Sequence, residues 1–374
     1  MHIVVVSGGT ATNSLLQGFS KDGKNDKVTY ILPVSDNGGS SSEIMRVLGG
    51  CAIGDIRSRL VRLIEDEELR NLFGHRLGCE PESAKCEWNE IVDGTHDIWC
   101  HIDRDLITVI RTFLLYVDTE IRKRNEMDFR FEVASVGNLF LTGARLFFGD
   151  FDAGMALMRK LCNIPDQFQV YGVLNTNFTH NIAAVLEDGN IIRGRSEISH
   201  PSLDIGGSQL HFDKMNDFSL GSKIKKIMYI SPYGEEIRVK ATEKCIDAVK
   251  SCDLLVYSIG SLYTSIVPVL LADGIGRAIT TTNSTKYKVL LVNSENDRET
   301  EGMDVWDYVD ALVRAVGDDS TTIKVTDVVT HIITARTDGV EKLEKVGVKV
   351  YSVTEKRLTA ANVQEALDRA GVLQ

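Results

Sequence analysis

Four short segments of this chain combine glycines, hydroxyls, carboxylates and amides at spacings suited to holding an anion. The first, Ile3 to Ser14, reads IVVVSGGTATNS. Its apolar run predicts a buried strand that passes through Gly8, Gly9 and Thr10 into a helix beginning near Thr12, with Asn13 beside the turn. Glycines there can take positive φ and let the backbone approach a ligand, while the first N–H groups of the helix carry partial positive charge. The turn lacks the G-x-G-x-x-G dinucleotide fingerprint, so a tight strand-to-helix corner without a ligand is the competing reading.

The second segment, Pro33 to Leu48, reads PVSDNGGSSSEIMRVL and repeats this logic. Asp36, Asn37, Gly38 and Gly39 lead into Ser40 and Ser41, and Ser40 with Glu43 has the spacing of a capping box. An ordinary capped helix is the alternative. The third is Gly54-Asp55-Ile56-Arg57, opening a helix whose Ile56, Leu60, Leu63 and Ile64 form a core-facing stripe. Asp55 is a plausible N-cap. If it instead faces Asp36, two carboxylates and a diphosphate would suit a magnesium ion that keeps several waters, with the planar fork of Arg57 meeting phosphate oxygens. The fourth, Leu254 to Leu270, places Gly260, Ser261, Tyr263, Thr264 and Ser265 at the exit of a buried strand. Strand tips of this kind are where open α/β sheets bind ligands, and capping by Thr264 or Ser265 is the plainer role.

Other chemistries find no support. The chain has no G-x-S-x-G elbow, no Walker lysine motif and no H-E-x-x-H helix. Cys79, Cys86, His96, Cys100 and His101 are zinc-competent side chains, but the usual C-x₂-C pairs are absent.

The elements that must position these segments follow from periodicity. Apolar runs at Ile3–Val6, Val28–Val34, Gln169–Leu174, Leu254–Ile259, Lys288–Val292 and Val346–Val353 alternate with helix-period segments. That order predicts an α/β fold with a Rossmann-like, doubly wound, mainly parallel sheet. Asn181–Glu187 and Asn190–Arg193, joined by Asp188-Gly189, predict a hairpin and hence a small antiparallel patch. The pattern loosens over about residues 79–130, read as a helical insertion carrying a helix over Ile107–Arg124, within one α/β domain spanning 1–374.

The 374 residues are 43% hydrophobic and 25% charged, with a formal charge of −11, as expected of a globular chain able to bury a sizeable core. The acidic balance argues against nucleic acid or an anionic membrane as partner, so an anionic ligand must be held locally. A homo-oligomer is left open. Seven irregularly spaced cysteines, and a start that runs directly into a core strand, lead to the expectation of a cytoplasmic protein. No apolar run approaches the length of a membrane span.

Taken together, SGGT at Ser7–Thr10, DNGGSS at Asp36–Ser41, GDIR at Gly54–Arg57, SVGNLFL at Ser135–Leu141, GDFDAGM at Gly149–Met155, LEDGNIIRGRSEIS at Leu186–Ser199 and GSLYTSI at Gly260–Ile266 resemble the CofD/YvcK superfamily. The resemblance covers nearly the whole chain apart from the insertion and about the last forty residues. It implies one of two functions. CofD enzymes transfer a phospholactyl group from a guanosine diphosphate conjugate to a deazaflavin precursor, whereas the gluconeogenesis-factor branch includes proteins that bind UDP-type nucleotide sugars. DNGGSS, GDIR and GSLYTSI are more similar to the second branch.

By resemblance, a nucleoside diphosphate conjugate rests on Gly8–Thr10, Asp36–Ser41 and Gly260–Ser265, with Asp36 and Asp55 holding Mg²⁺ and Asn138 near the ligand. A helix cap is the competing role for Asn138. A transferase would use Mg²⁺ and Arg57 to stabilise charge developing at phosphorus. A sensor would bind without turnover, and an interaction scaffold with a degenerate pocket is a third class. The chain departs from the family pattern at Ala11, where a third glycine is usual, at Asn37 in place of a second aspartate, at Ile53 in place of proline, and at Arg195 in Gly194-Arg195-Ser196, which adds a cation that could meet a phosphate.

Overall fold

The structure, a computed structural model, describes residues 1–19, 26–35, 38–124, 126–199, 219–281, 285–317, 323–355 and 357–373. The expectations placed on Asp36 and Asn37 lie outside the described residues. The strands are β1 (His2–Val6), β2 (Lys27–Leu32), β3 (Phe168–Gly172), β4 (Asn181–Leu186), β5 (Ile191–Arg193), β6 (Ile224–Ile230), β7 (Glu236–Ile237), β8 (Leu254–Tyr257), β9 (Tyr287–Val292), β10 (His331–Thr334) and β11 (Lys349–Ser352).

The chain divides into two compact units. The first, comprising 1–33, 167–174 and 181–374, holds both sheets. Its larger sheet has seven strands, all parallel, in the order β11-β10-β9-β8-β1-β2-β3. Helices cover both faces, which explains why β1 and β8 read as unbroken apolar runs rather than alternating ones. Ile3–Val6 and Leu254–Tyr257 are completely buried.

The strand order carries the functional consequence. From β1 the chain steps outward to β2 and β3, then returns to β8 on the other side of β1 and proceeds to β11. The winding therefore reverses between β1 and β8, the position at which doubly wound sheets leave a crevice beyond the strand ends. Val6 is in register with Tyr257, and Ser258 N–H donates to the Val6 carbonyl at 3.0 Å, so the two strands finish side by side.

The smaller sheet is antiparallel, in the order β5-β4-β6-β7. The expected hairpin is present, with Gly189 at φ 89° closing it. β6, β7 and β10 were not anticipated from the sequence. β10 is only four residues long, and β6 alternates imperfectly because its lysines interrupt the apolar positions.

The second unit, 34–166 with 175–180, carries the helices α1 (Gly39–Leu48), α2 (Gly54–Leu63), α3 (Glu67–Gly74), α4 (Pro81–Asp93), α5 (Arg104–Arg122), α6 (Val136–Phe148) and α7 (Phe151–Leu161). Ile56, Leu60, Leu63 and Ile64 of the expected α2 stripe are all buried. Residues 79–130 lie inside this unit and supply α4 and α5. Trp88 of α4 is fully buried, donates from Nε1 to Asp118 of α5 at 2.9 Å, and stacks on Phe131. Gly143 lets α5 and α6 touch, since a Cβ there would meet the Phe113 carbonyl at 2.1 Å. Among the described residues no helix is long and apolar enough to cross a membrane.

Candidate functional site

In the first unit the tips of β1 and β8 form the centre of the candidate site. Gly8 and Gly9 are not in the positive-φ region that the sequence suggested. What position 8 requires is close approach: a Cβ on Gly8 would lie 2.7 Å from Ser265 Oγ and 3.1 Å from Ser265 Cβ. The helix expected near Thr12 is also corrected, to two short 3₁₀ segments, Ala11–Ser14 and Leu16–Phe19. Thr12 ties the two tips together by donating from Oγ1 to Ser258 Oγ at 2.9 Å and to the Ile259 carbonyl at 3.2 Å. Thr10 is exposed, and the buried Asn13 Oδ1 has no hydrogen-bond partner among the described residues.

Beyond β8, Gly260 takes φ 136°, a value that favours glycine, and Ala11 Cβ would lie 3.7 Å from a Cβ built there. Ala11 thus packs against a position with no side chain. Ser261 then precedes a π-helical turn over Leu262–Ile266, a geometry that recurs at functional sites. The turn is closed inward rather than open to solvent. Tyr263, Thr264 and Ser265 are buried, and the backbone N–H groups of Tyr263 and Thr264 both donate to Glu299 Oε2 at 3.0 Å. The Thr264 hydroxyl donates to Glu299 Oε1 at 2.6 Å and caps no helix.

Arg195 completes this cluster. Its Nη2 donates to Ser265 Oγ at 3.2 Å and lies 3.9 Å from a Cβ built on Gly8. Burial, then the neighbouring Asp297 carboxylate, push Glu299 up to about 7, while the Thr264 hydrogen bonds and the Arg195 charge act in the opposite direction. Sequence reasoning missed Glu299. The one local signal is the capping box of Asp297 and Thr300 that holds its short 3₁₀ segment, and nothing in that motif points back to Thr264.

In the second unit, Arg57 of α2 and Asn138 of α6 meet, with Arg57 Nε donating to Asn138 Oδ1 at 3.2 Å. Asn138 is buried inside α6 and does not cap it; the N-cap is Ser135. Burial, and then the charge of Arg76, bring the Arg57 guanidinium down to about 10, with Asp55 opposing. No carboxylate among the described residues lies within ion-pair distance of it. Gly137 leaves room for its stem, because a Cβ there would stand 3.1 Å from Arg57 Cγ and Cδ.

Two capping expectations in this unit are overturned. Gly38 is the N-cap of α1, with no side-chain bond, because Glu43 is drawn away to Arg46 and Arg130. Ser40 Oγ is buried without a partner among the described residues, and Ser41 Oγ accepts from Gly54 N–H at 3.1 Å. Ile53, not Asp55, is the N-cap of α2, and Asp55 sits buried in its first turn. Among the described residues no three His, Cys, Asp or Glu side chains group as a metal site.

Fold and site together define a doubly wound α/β protein whose strand-order reversal carries a glycine, two hydroxyls and an arginine. The chain belongs to the CofD family: the family model described as 2-phospho-L-lactate transferase CofD matches residues 3–368. It is 42% identical to the Saccharomyces cerevisiae protein YNL011C, over 84% of this chain and 82% of the relative. It is 26% identical to a protein named gluconeogenesis factor from Halalkalibacterium halodurans, over 84% of this chain and 74% of the relative. The crystal structure of a UPF0052-family protein from Bacillus halodurans shares the fold, with a TM-score of 0.67 and 24% identity over 98% of both chains.

Proposed function

We propose that the protein binds a nucleoside diphosphate conjugate of the UDP-sugar type and acts as a YvcK-like metabolic or regulatory protein. The observation that carries this reading is the guanidinium of Arg195 held against Ser265 beside Gly8, at the crevice where the strand order reverses. A cation, a hydroxyl and close-approaching backbone are what a phosphate group needs. Gly9, Thr10, Asn13, Gly260 and Ser261 complete the set proposed around it. The second unit offers its own anion-suited group in Arg57, a desolvated cation whose charge an anion would offset. Relatives named gluconeogenesis factor favour a metabolic role.

Magnesium belongs to the proposal as an ion of the second unit. Mg²⁺ is commonly held by one or two carboxylates together with substrate phosphates, and it keeps several waters. Asp55 is one such carboxylate, and Asp36 is proposed as the second. Among the described residues the phosphate-suited tips include no activated nucleophile, and turnover would further require an acceptor held in line near the phosphorus, so binding without turnover is the preferred reading. All seven cysteines are free thiols, which fits a cytoplasmic setting.

The test is a melting and turnover assay with UDP-sugars and guanosine diphosphate conjugates, with and without Mg²⁺. A ligand selective for the native state adds about 2.7 kcal/mol at a hundred times its dissociation constant. Saturable stabilisation with little hydrolysis is expected. Release of UMP or GMP that depends on an added hydroxyl acceptor, and is abolished by Asp55→Asn, would favour the transferase activity that the family model describes.

A further inference from the structure

Glu299 is a buried carboxylate tied to the turn that carries Ser265, a residue placed at the proposed anion position. Its Oε2 accepts from the N–H groups of Tyr263 and Thr264, its Oε1 from the Thr264 hydroxyl, and Ser265 follows directly. Arg195 donates to Ser265 Oγ and also supports the negative charge of Glu299. One cation therefore serves both the internal carboxylate and the proposed anion position.

An anion arriving at Ser265 would engage that shared cation and add a like charge nearby. Both changes disfavour the ionised form of Glu299. Building on the proposed function, we propose that anion binding at the tip of β8 is coupled to the uptake of a proton by Glu299, which makes Glu299 a proton-linked positioning residue of the site. The proton comes from the buffer and bonds to Oε1. The Thr264 hydroxyl then turns to accept it, while Oε2 continues to accept from both backbone N–H groups, so the turn keeps its shape in either state.

The groups facing Glu299 are compatible with this assignment. Arg195 comes from the helix Arg195–Ser199, Asp297 from its own segment, Tyr263 from the π turn, and Tyr308 from the helix Val305–Val316. Lys223, Arg298 and Glu301 join it around a cavity of about 190 Å³. Among the described residues none of these is a histidine. Glu299 is the one pushed to about 7, whereas burial drives the Tyr263 hydroxyl up to about 12.

The sign follows from linkage. A ligand that raises the proton affinity of Glu299 binds most tightly below its free-state value, and the advantage is lost as pH rises through the ligand-bound value. A rise of one pH unit in that value would give about a tenfold change in affinity.

The experiment is calorimetric titration of UDP-glucose near neutral pH in two buffers of different ionisation enthalpy, repeated with sulfate. Neither probe changes its own charge there. Wild-type protein should take up a substantial fraction of one proton per ligand bound, and Glu299→Gln should bind with no uptake and a flat pH profile. Should that variant fail to fold, difference infrared spectra of the unmutated protein on binding must show a carboxylate stretch replaced by a protonated carboxyl stretch. Binding without uptake, uptake that survives Glu299→Gln, or no such spectral change overturns the proposal. Sulfate binding with proton uptake while UDP-glucose fails to bind would leave it standing and count against a UDP-sugar as the ligand. Failure of both probes to bind overturns both.

Discussion

Gly8 at the end of β1 and Ser265 beyond β8 approach so closely that a Cβ on Gly8 would lie 2.7 Å from the Ser265 hydroxyl oxygen. The glycine is needed for proximity rather than for a left-handed backbone. The contact joins the two strand tips at the reversal of the sheet, and Arg195 reaches the same hydroxyl.

Gly8→Ala should therefore displace the Ser265 side chain while sparing most of the fold, because the atom met first is the end of a small side chain. Stability should fall by about 1 kcal/mol, the low end of overpacking costs. Affinity for a nucleotide conjugate should fall at least about tenfold, equivalent to about 1.4 kcal/mol. Adding Ser265→Gly should restore the melting temperature without restoring binding. Full affinity in Gly8→Ala would show that the contact is only a packing detail.

Gly137 presents the opposite case. A Cβ there would meet the Phe73 carbonyl oxygen at 2.3 Å, a backbone atom that cannot step aside. Gly137→Ala should cost about 3 kcal/mol in urea unfolding, at the upper end of overpacking penalties, and should disturb the Arg57–Asn138 pair. A change within about 0.5 kcal/mol, the usual range for surface substitutions, would contradict the packing of α3 against α6.

Glu43 anchors α1 to the chain around Arg130. Its buried carboxylate accepts from Arg46 at 2.9 and 2.7 Å and from the Arg130 N–H at 2.7 Å. Burial alone would raise its proton affinity, but the Arg46 and Arg130 hydrogen bonds outweigh that and hold it below the usual glutamate range. Glu43→Ala should cost about 2 kcal/mol at neutral pH, since the two arginines are half-exposed and can rehydrate. With the folded value depressed, the stabilisation is present above the unfolded value near 4.3 and is lost as pH falls through the folded one. Urea titrations of both proteins should therefore converge in acid. A gap that persists there would assign the effect to packing.

The sheet was legible because its buried parallel strands are written as long apolar runs, as β1, β2, β3, β8 and β9 show. β10 escaped because four residues carry little periodicity, and β6 because it pairs with β4 across a long interval of chain. Glycine-rich exits marked the ends of β1 and β8, but Gly8 answers a need for space rather than for positive φ, two needs that sequence cannot distinguish. Capping patterns misled at Ser40, Asp55 and Asn138. In each case a tertiary partner or a different cap residue took the role, as Arg46 and Arg130 did for Glu43. Glu299 was illegible, because its bonds to Tyr263 and Thr264 exist only once the tips of β8 and β9 lie side by side.

The proposed seat of a nucleoside diphosphate conjugate at Arg195 and Ser265 is tested by calorimetric titration of UDP-glucose into wild-type protein and Arg195→Met. The expected result is saturable binding to the wild type, an affinity at least about tenfold lower in the variant, and superimposable circular dichroism spectra. Absence of binding heat and of any melting shift with UDP-sugars and guanosine diphosphate conjugates at millimolar concentration, with or without Mg²⁺, would contradict the claim, as would undiminished affinity in Arg195→Met.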